Sequence, residues 1–188
     1  DNDPRWKSVS AGLVVMRLID AWLDDGPQVV TTDVTQLRTI RESVDAIPTG
    51  DPIRSILNGI VETLQAAELA SIKPLAPQLL AYGRALHYAG HWRLAKDVFA
   101  TLLQRAEIER HPGLCVQAAL RLGFVTRRLG DIDDSDMAYQ YAGKIAKRTK
   151  NTEGQLRARL GLAQNTISKG NLPKADELLD AVINDTQK

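Results

Sequence analysis

The chain has 188 residues, of which 44% are hydrophobic and 25% charged, and its formal net charge is +1. This composition is that of a folded protein and not of a disordered one, and the length predicts one domain, residues 1–188. A single cysteine, Cys115, excludes an internal disulfide and favours a reducing compartment, so we predict a cytoplasmic location. The most apolar stretch, 11–23, contains Arg17 and Asp20 and is too short to span a bilayer, so we expect no membrane partner.

The predicted elements, in chain order, are all helices. The first begins near Pro4 and ends before Gly26, because Pro27 cannot continue a helix, so 1–32 is a helix followed by a loop. From Asp33 onward the pattern predicts helix, short turn and helix, four times in succession. The predicted hairpins pair 33–47 with 51–71, 74–89 with 91–109, 112–129 with 131–149, and 152–169 with 171–186. No window alternates apolar and polar residues long enough to predict a strand, which makes the fold class all-α.

Glycine recurs every 40 residues, at Gly50, Gly90, Gly130 and Gly170. A turn residue at a fixed phase is typical of helical repeats that stack hairpin on hairpin. The first unit, 33–73, keeps few of the repeated residues and is predicted to be degenerate. The later units are predicted to span 74–111, 112–151 and 152–188.

Other residues recur at fixed distances from the last three of these glycines. Seven positions before them stand small residues, Gly83, Gly123 and Ala163. Five positions after them stand Ala95, Ser135 and Ala175, and nine positions after them the larger Phe99, Tyr139 and Leu179. Small residues allow two helices to approach closely, and large ones fill the space between neighbouring units.

These columns resemble the tetratricopeptide repeat. That family has a large-small pair in its first helix, Gly followed by a polar and an apolar residue at the turn, and a small residue and then an aromatic in its second helix. The second unit matches closely with Tyr82-Gly83, Gly90-His91-Trp92, Ala95 and Phe99. The family's period is about 34 residues, so this chain resembles a long-helix variant. The resemblance implies a right-handed α-solenoid of antiparallel helix hairpins, here with an extra N-terminal helix.

The resemblance also implies a concave groove lined by the first helix of each hairpin. The groove-facing positions carried over to this chain are Leu80, Arg84, His87 and Tyr88, then Gln117, Leu120, Phe124, Arg127 and Arg128, then Arg157, Leu160, Gln164 and Ser168. All of them except Leu80, Leu120, Leu160 and Ser168 are the nine predicted site residues. Arginine mixed with aromatic and amide side chains is the composition of a peptide-binding interface, although semi-buried helix positions can carry the same residues. Because few acidic residues share these helices, we expect a protein or peptide partner and favour an acidic one.

No catalytic, cofactor or metal site is predicted. His87 and His91 have the spacing of a zinc pair, but zinc needs three or four ligands and Gly90 separates the two. The acidic run 131–136 lacks the glycine and glutamate of a calcium loop and suits the first turn of a helix. A basic cluster at the end of a helix complements the helix dipole, and it has no interleaved aromatic residues, so we expect no nucleic acid. Its members are Lys144, Lys147, Arg148 and Lys150. Contact with an anionic surface or with RNA is the alternative.

The sequence therefore predicts a non-enzymatic protein–protein interaction module that holds a protein or peptide segment in a concave groove. Two alternatives stay open. One is a peptide-sensing regulatory domain of a larger protein. The other is a scaffold that forms a homo-oligomer through its apolar N-terminal helix.

Overall fold

The computed structural model describes residues 7, 9–17, 34–66, 71–108 and 110–186. Residues 9–17 are helical and belong to the predicted N-terminal helix, here α1. Eight helices follow, and their bounds are α2 Val34–Asp45, α3 Pro52–Ala66, α4 Ala76–Tyr88, α5 Trp92–Ile108, α6 Pro112–Leu129, α7 Ile132–Arg148, α8 Thr152–Ser168 and α9 Leu172–Thr186. These ranges contain no strand, so the all-α prediction is confirmed. The predicted loop before Asp33 lies outside the described residues.

The helix bounds follow the predicted ones closely. Apart from the end of α3, each described end lies within two residues of its predicted position. Helix α3 was predicted to reach residue 71, which is not helical, and 67–70 lie outside the described ranges. None of the described helices is long and apolar enough to cross a membrane.

Three of the four periodic glycines adopt the left-handed backbone conformation that their turns require. Their φ angles are 84° at Gly90, 90° at Gly130 and 77° at Gly170. Residues with a side chain rarely adopt this conformation, which explains why glycine stands at this phase of each turn. Gly50 has no positive φ, so the turn of the first predicted unit differs from the others.

The chain divides into two compact units, Asp1–Ala89 and Gly90–Lys188. In the first unit α3 packs against both α2 and α4. In the second unit each helix from α5 to α9 packs on the next along the chain, and α6 also packs on α8. Helices α6 and α8 are the first helices of two consecutive hairpins, and their contact is what a stack of hairpins requires. The single domain, the repeat boundaries, the solenoid and its right-handed sense stay predictions.

The ring of Tyr139 on α7 lies against glycines of both neighbouring helices, α6 and α8. Tyr139 is 4% exposed. A Cβ atom built at Gly123 of α6 would lie 3.1 Å from the ring, and one built at Gly161 of α8 would overlap it. The ring therefore excludes a side chain at Gly161, whereas a Cβ atom at Gly123 would require only a small shift of the ring. The predicted close approach holds at Gly123, whereas the closer approach at Gly161 was not predicted.

Helix α8 lies antiparallel to α7 along a stripe of small residues. The facing pairs are Gly154 with Ala146, Ala158 with Gly143, Gly161 with Tyr139, and Asn165 with Asp136. Small residues on one helix allow its backbone to approach the other, which brings more atoms into dispersion contact. Apolar contacts of this kind are not directional, so polar contacts are needed to fix the register.

A buried hydrogen-bond network fixes the register of α7 and α8. Asn165 is fully buried, and its Nδ2 donates to Ser135 Oγ at 2.9 Å and to Asp136 Oδ1 at 2.8 Å. Ser135 Oγ in turn donates to the Gly123 carbonyl of α6 at 2.6 Å. Because a buried amide without partners costs about 1–3 kcal/mol, sliding α8 along α7 would be unfavourable. At the rim, Lys169 Nζ pairs with Asp133 at 2.7 Å and with Asp136 at 2.8 Å.

The close approach at Tyr139 predicts opposite effects for two glycine substitutions. Gly161→Ala should lower the free energy of unfolding by about 1–3 kcal/mol, because the new methyl group would occupy the space of the ring. Gly143→Ala is the matched control within a helix, since its Cβ would meet Ala158 Cβ at an ordinary 3.5 Å. It should stabilise the protein by about 0.5–1 kcal/mol, the usual gain over glycine in a helix. Urea unfolding measures both, and equal effects would contradict the packing described.

The ion pairs of Lys169 predict a pH dependence with two limbs. Hydrogen bonding and attraction from Lys169 lower the pKa of Asp133, and the bonds to Asp133 and Asp136 raise the pKa of Lys169. The contribution of Asp133 is present above the pKa of an unfolded aspartate and is lost as the pH falls through its folded value. The contribution of Lys169 is present below the pKa of an unfolded lysine and is lost as the pH rises through its folded value.

We therefore expect Lys169→Met to flatten the dependence of unfolding free energy on pH at both limbs. Lys144→Met is the control, because Lys144 is an exposed lysine of α7 outside this network. Urea unfolding across the pH range compares the two variants with the parent chain. Identical pH profiles for both variants would mean that these ion pairs contribute nothing to stability.

Candidate functional site

A cavity of about 230 Å³ opens on the surface of the second unit where α6, α7 and α8 meet. Its lining residues are Leu120, Arg121, Phe124, Tyr139, Arg157, Leu160, Gly161 and Gln164. Helix α6 contributes the first three of these and α8 the last four. Gly161 allows α8 to lie against the Tyr139 ring at the wall of the cavity, because a Cβ atom there would overlap the ring.

The lining combines apolar walls with forked cationic donors. Leu120, Phe124 and Leu160 contribute apolar side chains to the lining, and Arg121 and Arg157 contribute two arginines to the same cavity. No acidic residue is among the lining residues of this cavity. A guanidinium offers five donors in a fixed plane and matches a carboxylate with two parallel hydrogen bonds. The cavity is therefore suited to a ligand group that is partly apolar and negatively charged.

Three of the nine predicted site residues, Phe124, Arg157 and Gln164, come together in this cavity. Gln117 lies on α6 as well, but it is exposed and does not line the cavity. Arg157 Nη2 forms a surface ion pair with Glu153 at 2.6 Å, four residues earlier on the same helix. Exposed pairs of this kind contribute little, so a ligand carboxylate can compete for the same guanidinium.

Arg127 and Arg128 lie beside the cavity and not in its lining. The Arg127 guanidinium lies 5.5 Å from the centre of the Phe124 ring, and its Nε is buried without a hydrogen-bond partner. The Arg128 guanidinium stacks 4.5 Å from the centre of the Trp92 ring at the start of α5. Arg128 is thus directed to an aromatic ring of the preceding hairpin, whereas Arg127 supports the wall of the cavity.

The residues around the cavity also shift the pKa of the Tyr139 hydroxyl. Burial raises the pKa of Tyr139, and the positive charges of Arg127 and Arg121 act in the opposite direction. The phenol therefore stays neutral, and Tyr139 contributes an apolar ring with one polar hydroxyl group to the cavity wall.

The remaining predicted residues, Arg84, His87 and Tyr88, lie on α4 in the first unit. Arg84 is exposed, and Tyr88 is 83% exposed. The His87 ring lies 4.8 Å from the Tyr88 ring, centre to centre, with the planes tilted by 41°. They form a small aromatic and basic surface of their own unit, and their role in binding stays a prediction.

Leu120 and Leu160 were predicted to face the groove, but three lining residues were not among the predicted groove-facing positions: Arg121, Tyr139 and Gly161. The repeat phase of Tyr139 indicated a core position, and it is both a core residue and a wall of the cavity. Arg121 lies outside the phases carried over from the tetratricopeptide repeat. Gly161 could have been noticed, because a glycine inside a helix costs about 1 kcal/mol and usually has a packing reason.

The thiol of Cys115 is a packing group and not an exposed reactive one. Cys115 is buried, and burial, followed by the charge of Glu107, raises the pKa of its thiol. A thiol with a raised pKa is a poor nucleophile and packs as a small apolar residue. Within the described ranges, no three His, Cys, Asp or Glu side chains lie close enough together to hold a metal ion.

Comparisons of the chain with family models, with curated proteins and with solved structures give no significant match. The resemblance to the tetratricopeptide repeat therefore rests on the residues of this chain alone.

Proposed function

We propose that this chain is a non-enzymatic interaction module that binds a segment of another protein. One side chain of that segment enters the cavity between α6, α7 and α8. The observation that carries the proposal is the presence of two arginines and three apolar residues around one opening. Aromatic residues and arginine are the residue types that dominate the energetics of protein interfaces.

The size of the cavity favours a side chain over a cofactor. Pockets for drug-sized ligands and cofactors enclose roughly 300–1,000 Å³, which is more than the 230 Å³ available here. Phe124 and Leu160 can bury the hydrocarbon part of an inserted residue. Arg121 and Arg157 can bind a carboxylate of the same residue or of its neighbour. An acidic peptide with an apolar anchor fits both features.

Arg127 extends this surface beyond the cavity. The Nε atom of Arg127 is buried, so this residue acts through its packing and not through a hydrogen bond from Nε to a bound chain. The contact of Arg127 with the Phe124 ring also holds that ring in place. A bound segment would therefore meet a wall that is already ordered, which lowers the entropic cost of binding.

The proposal predicts which arginines contribute to the affinity for a bound peptide. Peptides selected from a displayed random library on the full chain should be rich in Asp or Glu beside an apolar residue. Arg121→Ala and Arg157→Ala should each weaken their binding about tenfold, which is about 1.4 kcal/mol. Arg128→Ala is the matched control and should change the dissociation constant by less than about twofold, because Arg128 stacks on Trp92 outside the cavity.

A second variant separates loss of the site from loss of charge. Leu160 is 41% exposed at the cavity, so Leu160→Trp should fill the opening and block the selected peptides without unfolding the chain. Circular dichroism and fluorescence anisotropy monitor folding and binding in parallel. Failure of the library to enrich any peptide would contradict an interaction module. Enriched peptides that ignore Arg121, Arg157 and Leu160 would place the binding site elsewhere.

A further inference from the structure

The two ends of α7 carry opposite charges, and only the acidic end is neutralised by ion pairs. Around its start, Lys96 pairs with Asp131 at 3.2 Å, and Lys169 pairs with two further aspartates at 2.7 and 2.8 Å. Five exposed cations, called the basic edge below, stand around its other end and in the equivalent connection before α6. They are Arg110, Lys144, Lys147, Arg148 and Lys150. None of them forms an ion pair within the described part of the chain, and none lines the cavity.

Arg110 and Lys150 occupy the same position in two successive repeats, 40 residues apart. Each of them follows the last helix of a hairpin and has a left-handed backbone, with φ of 58° and 55° respectively. In both places the following residue donates its N–H to a carbonyl of the preceding helix at 2.8 Å. This is the helix cap in which glycine is usual, because a Cβ atom disfavours the left-handed conformation.

Elsewhere the chain places glycine in this conformation. Three of the periodic glycines adopt it inside the hairpins, and among the described residues only Arg110 and Lys150 adopt it with a side chain. Backbone geometry therefore does not account for these two cations. The negative end of a helix attracts cations, but the attraction is weak at exposed positions. It is opposed by the repulsion of like charges one turn apart, such as Lys144 and Arg148.

The connections that carry Arg110 and Lys150 are neighbours in the second unit. A Cβ atom built at Gly154, near the start of α8, would lie 2.8 Å from Val116, near the start of α6. The same atom would lie 3.0 Å from Ala146, near the end of α7. The starts of α6 and α8 thus lie side by side at the end of α7, so the five cations share one edge of this unit.

The two described acidic residues next to the basic edge have other partners. Glu153 pairs with Arg157 at 2.6 Å. Burial first, and then a hydrogen bond to Glu107, raise the pKa of Tyr141, which identifies the partner of that carboxylate. Glu109 lies outside the described residues. Counted with Glu107 and Glu109, the five cations still leave a net positive charge.

The composition of the basic edge distinguishes among anionic partners. Protein interfaces are poor in lysine and rich in aromatic residues, whereas three of these five cations are lysines. Stable attachment to a membrane requires an apolar element besides basic charge, and no large apolar side chain is exposed in 110–113 or 144–153. Proteins that bind single strands stack bases on aromatic side chains, and these two segments contain no Phe, Tyr or Trp. A duplex presents its phosphates outward, and lysine and arginine alone can bind them.

We infer that the basic edge binds the phosphate backbone of a double-stranded nucleic acid without reading its sequence. The lack of stacking side chains, which led us to expect no nucleic acid, argues against single strands and is compatible with a duplex. This site is separate from the cavity and does not rest on the proposed function.

Fluorescence anisotropy of the full chain with labelled duplexes of mixed sequence, one of DNA and one of RNA, tests the inference. Binding of either duplex supports it, and the comparison identifies which one is preferred. The logarithm of the association constant should fall with the logarithm of salt concentration, with a slope of about −0.9 for each phosphate contacted. The double variant Lys147→Glu, Lys150→Glu should weaken binding about tenfold at low salt and flatten this slope by about two.

The double variant Arg93→Glu, Lys174→Glu is the matched control. It makes the same change of net charge at two exposed residues near the starts of α5 and α9, outside the basic edge. It should weaken duplex binding less than about threefold, because salt screens charges that do not contact the phosphates. Circular dichroism confirms that both double variants are folded.

Glycine variants separate binding from stability. Arg110→Gly and Lys150→Gly should each raise the urea concentration at the unfolding midpoint, because glycine adopts the left-handed conformation more readily. Each should also weaken duplex binding about threefold and flatten the salt slope by about one. A loss of stability in both variants with unchanged duplex binding would overturn the inference, because these side chains would then serve the fold.

Absence of duplex binding at low salt, or equal loss in the two double variants, would also overturn the inference. The same holds for tighter binding to the corresponding single strands, to polyglutamate or to phosphatidylserine vesicles, because the partner would then belong to another class.

Discussion

The spacing of α6, α7 and α8 is set by one aromatic ring and two glycines. Tyr139 lies so close to Gly123 and Gly161 that neither position admits a Cβ without displacement. The ring therefore sets the distance from α7 to α6 and from α7 to α8. The other contacts among the three helices depend on these two distances. The cavity depends on the same constraint, since Gly161 forms part of its lining and the ring forms another part.

Packing and polarity have separate roles in this arrangement. Apolar contacts between small residues bring α7 and α8 together but permit sliding. Asn165 prevents it, because its amide finds Ser135 and Asp136 only in one register. Fixing the register also fixes which side chains of α8 reach the cavity, including Arg157 and Gln164. In the proposed function, an opening whose walls are already ordered would bind a flexible segment at a lower entropic cost.

The sequence predicts the helices well because their ends carry strong local signals. The turns at Gly90, Gly130 and Gly170 need a left-handed residue, and proline marks the start of α6, so the bounds follow from a few residues. The repeat columns also identify the buried faces, because a helix with period 3.6 places them on one side. These signals are local, so they can be recognised without knowing which helices pack together.

The candidate site is predicted only in part, because long side chains choose their neighbours in three dimensions. Repeat phase places Arg127 and Arg128 near the groove-facing side, yet Arg128 stacks on Trp92, which no spacing within α6 could indicate. Arg121 enters the cavity because α8 provides an opposing wall. The role of Gly161 likewise depends on a tyrosine 22 positions earlier in the chain.

The central claim, that the Tyr139 ring spaces α6 and α8, is tested most directly by proton NMR. Nuclear Overhauser effects should connect the ring protons of Tyr139 with the Hα protons of both Gly123 and Gly161. The ring current should also move these Hα resonances away from their usual positions. Strong effects to both glycines are the expected result. Ring contacts to only one of them, or to neither, would contradict the account of how these helices are held.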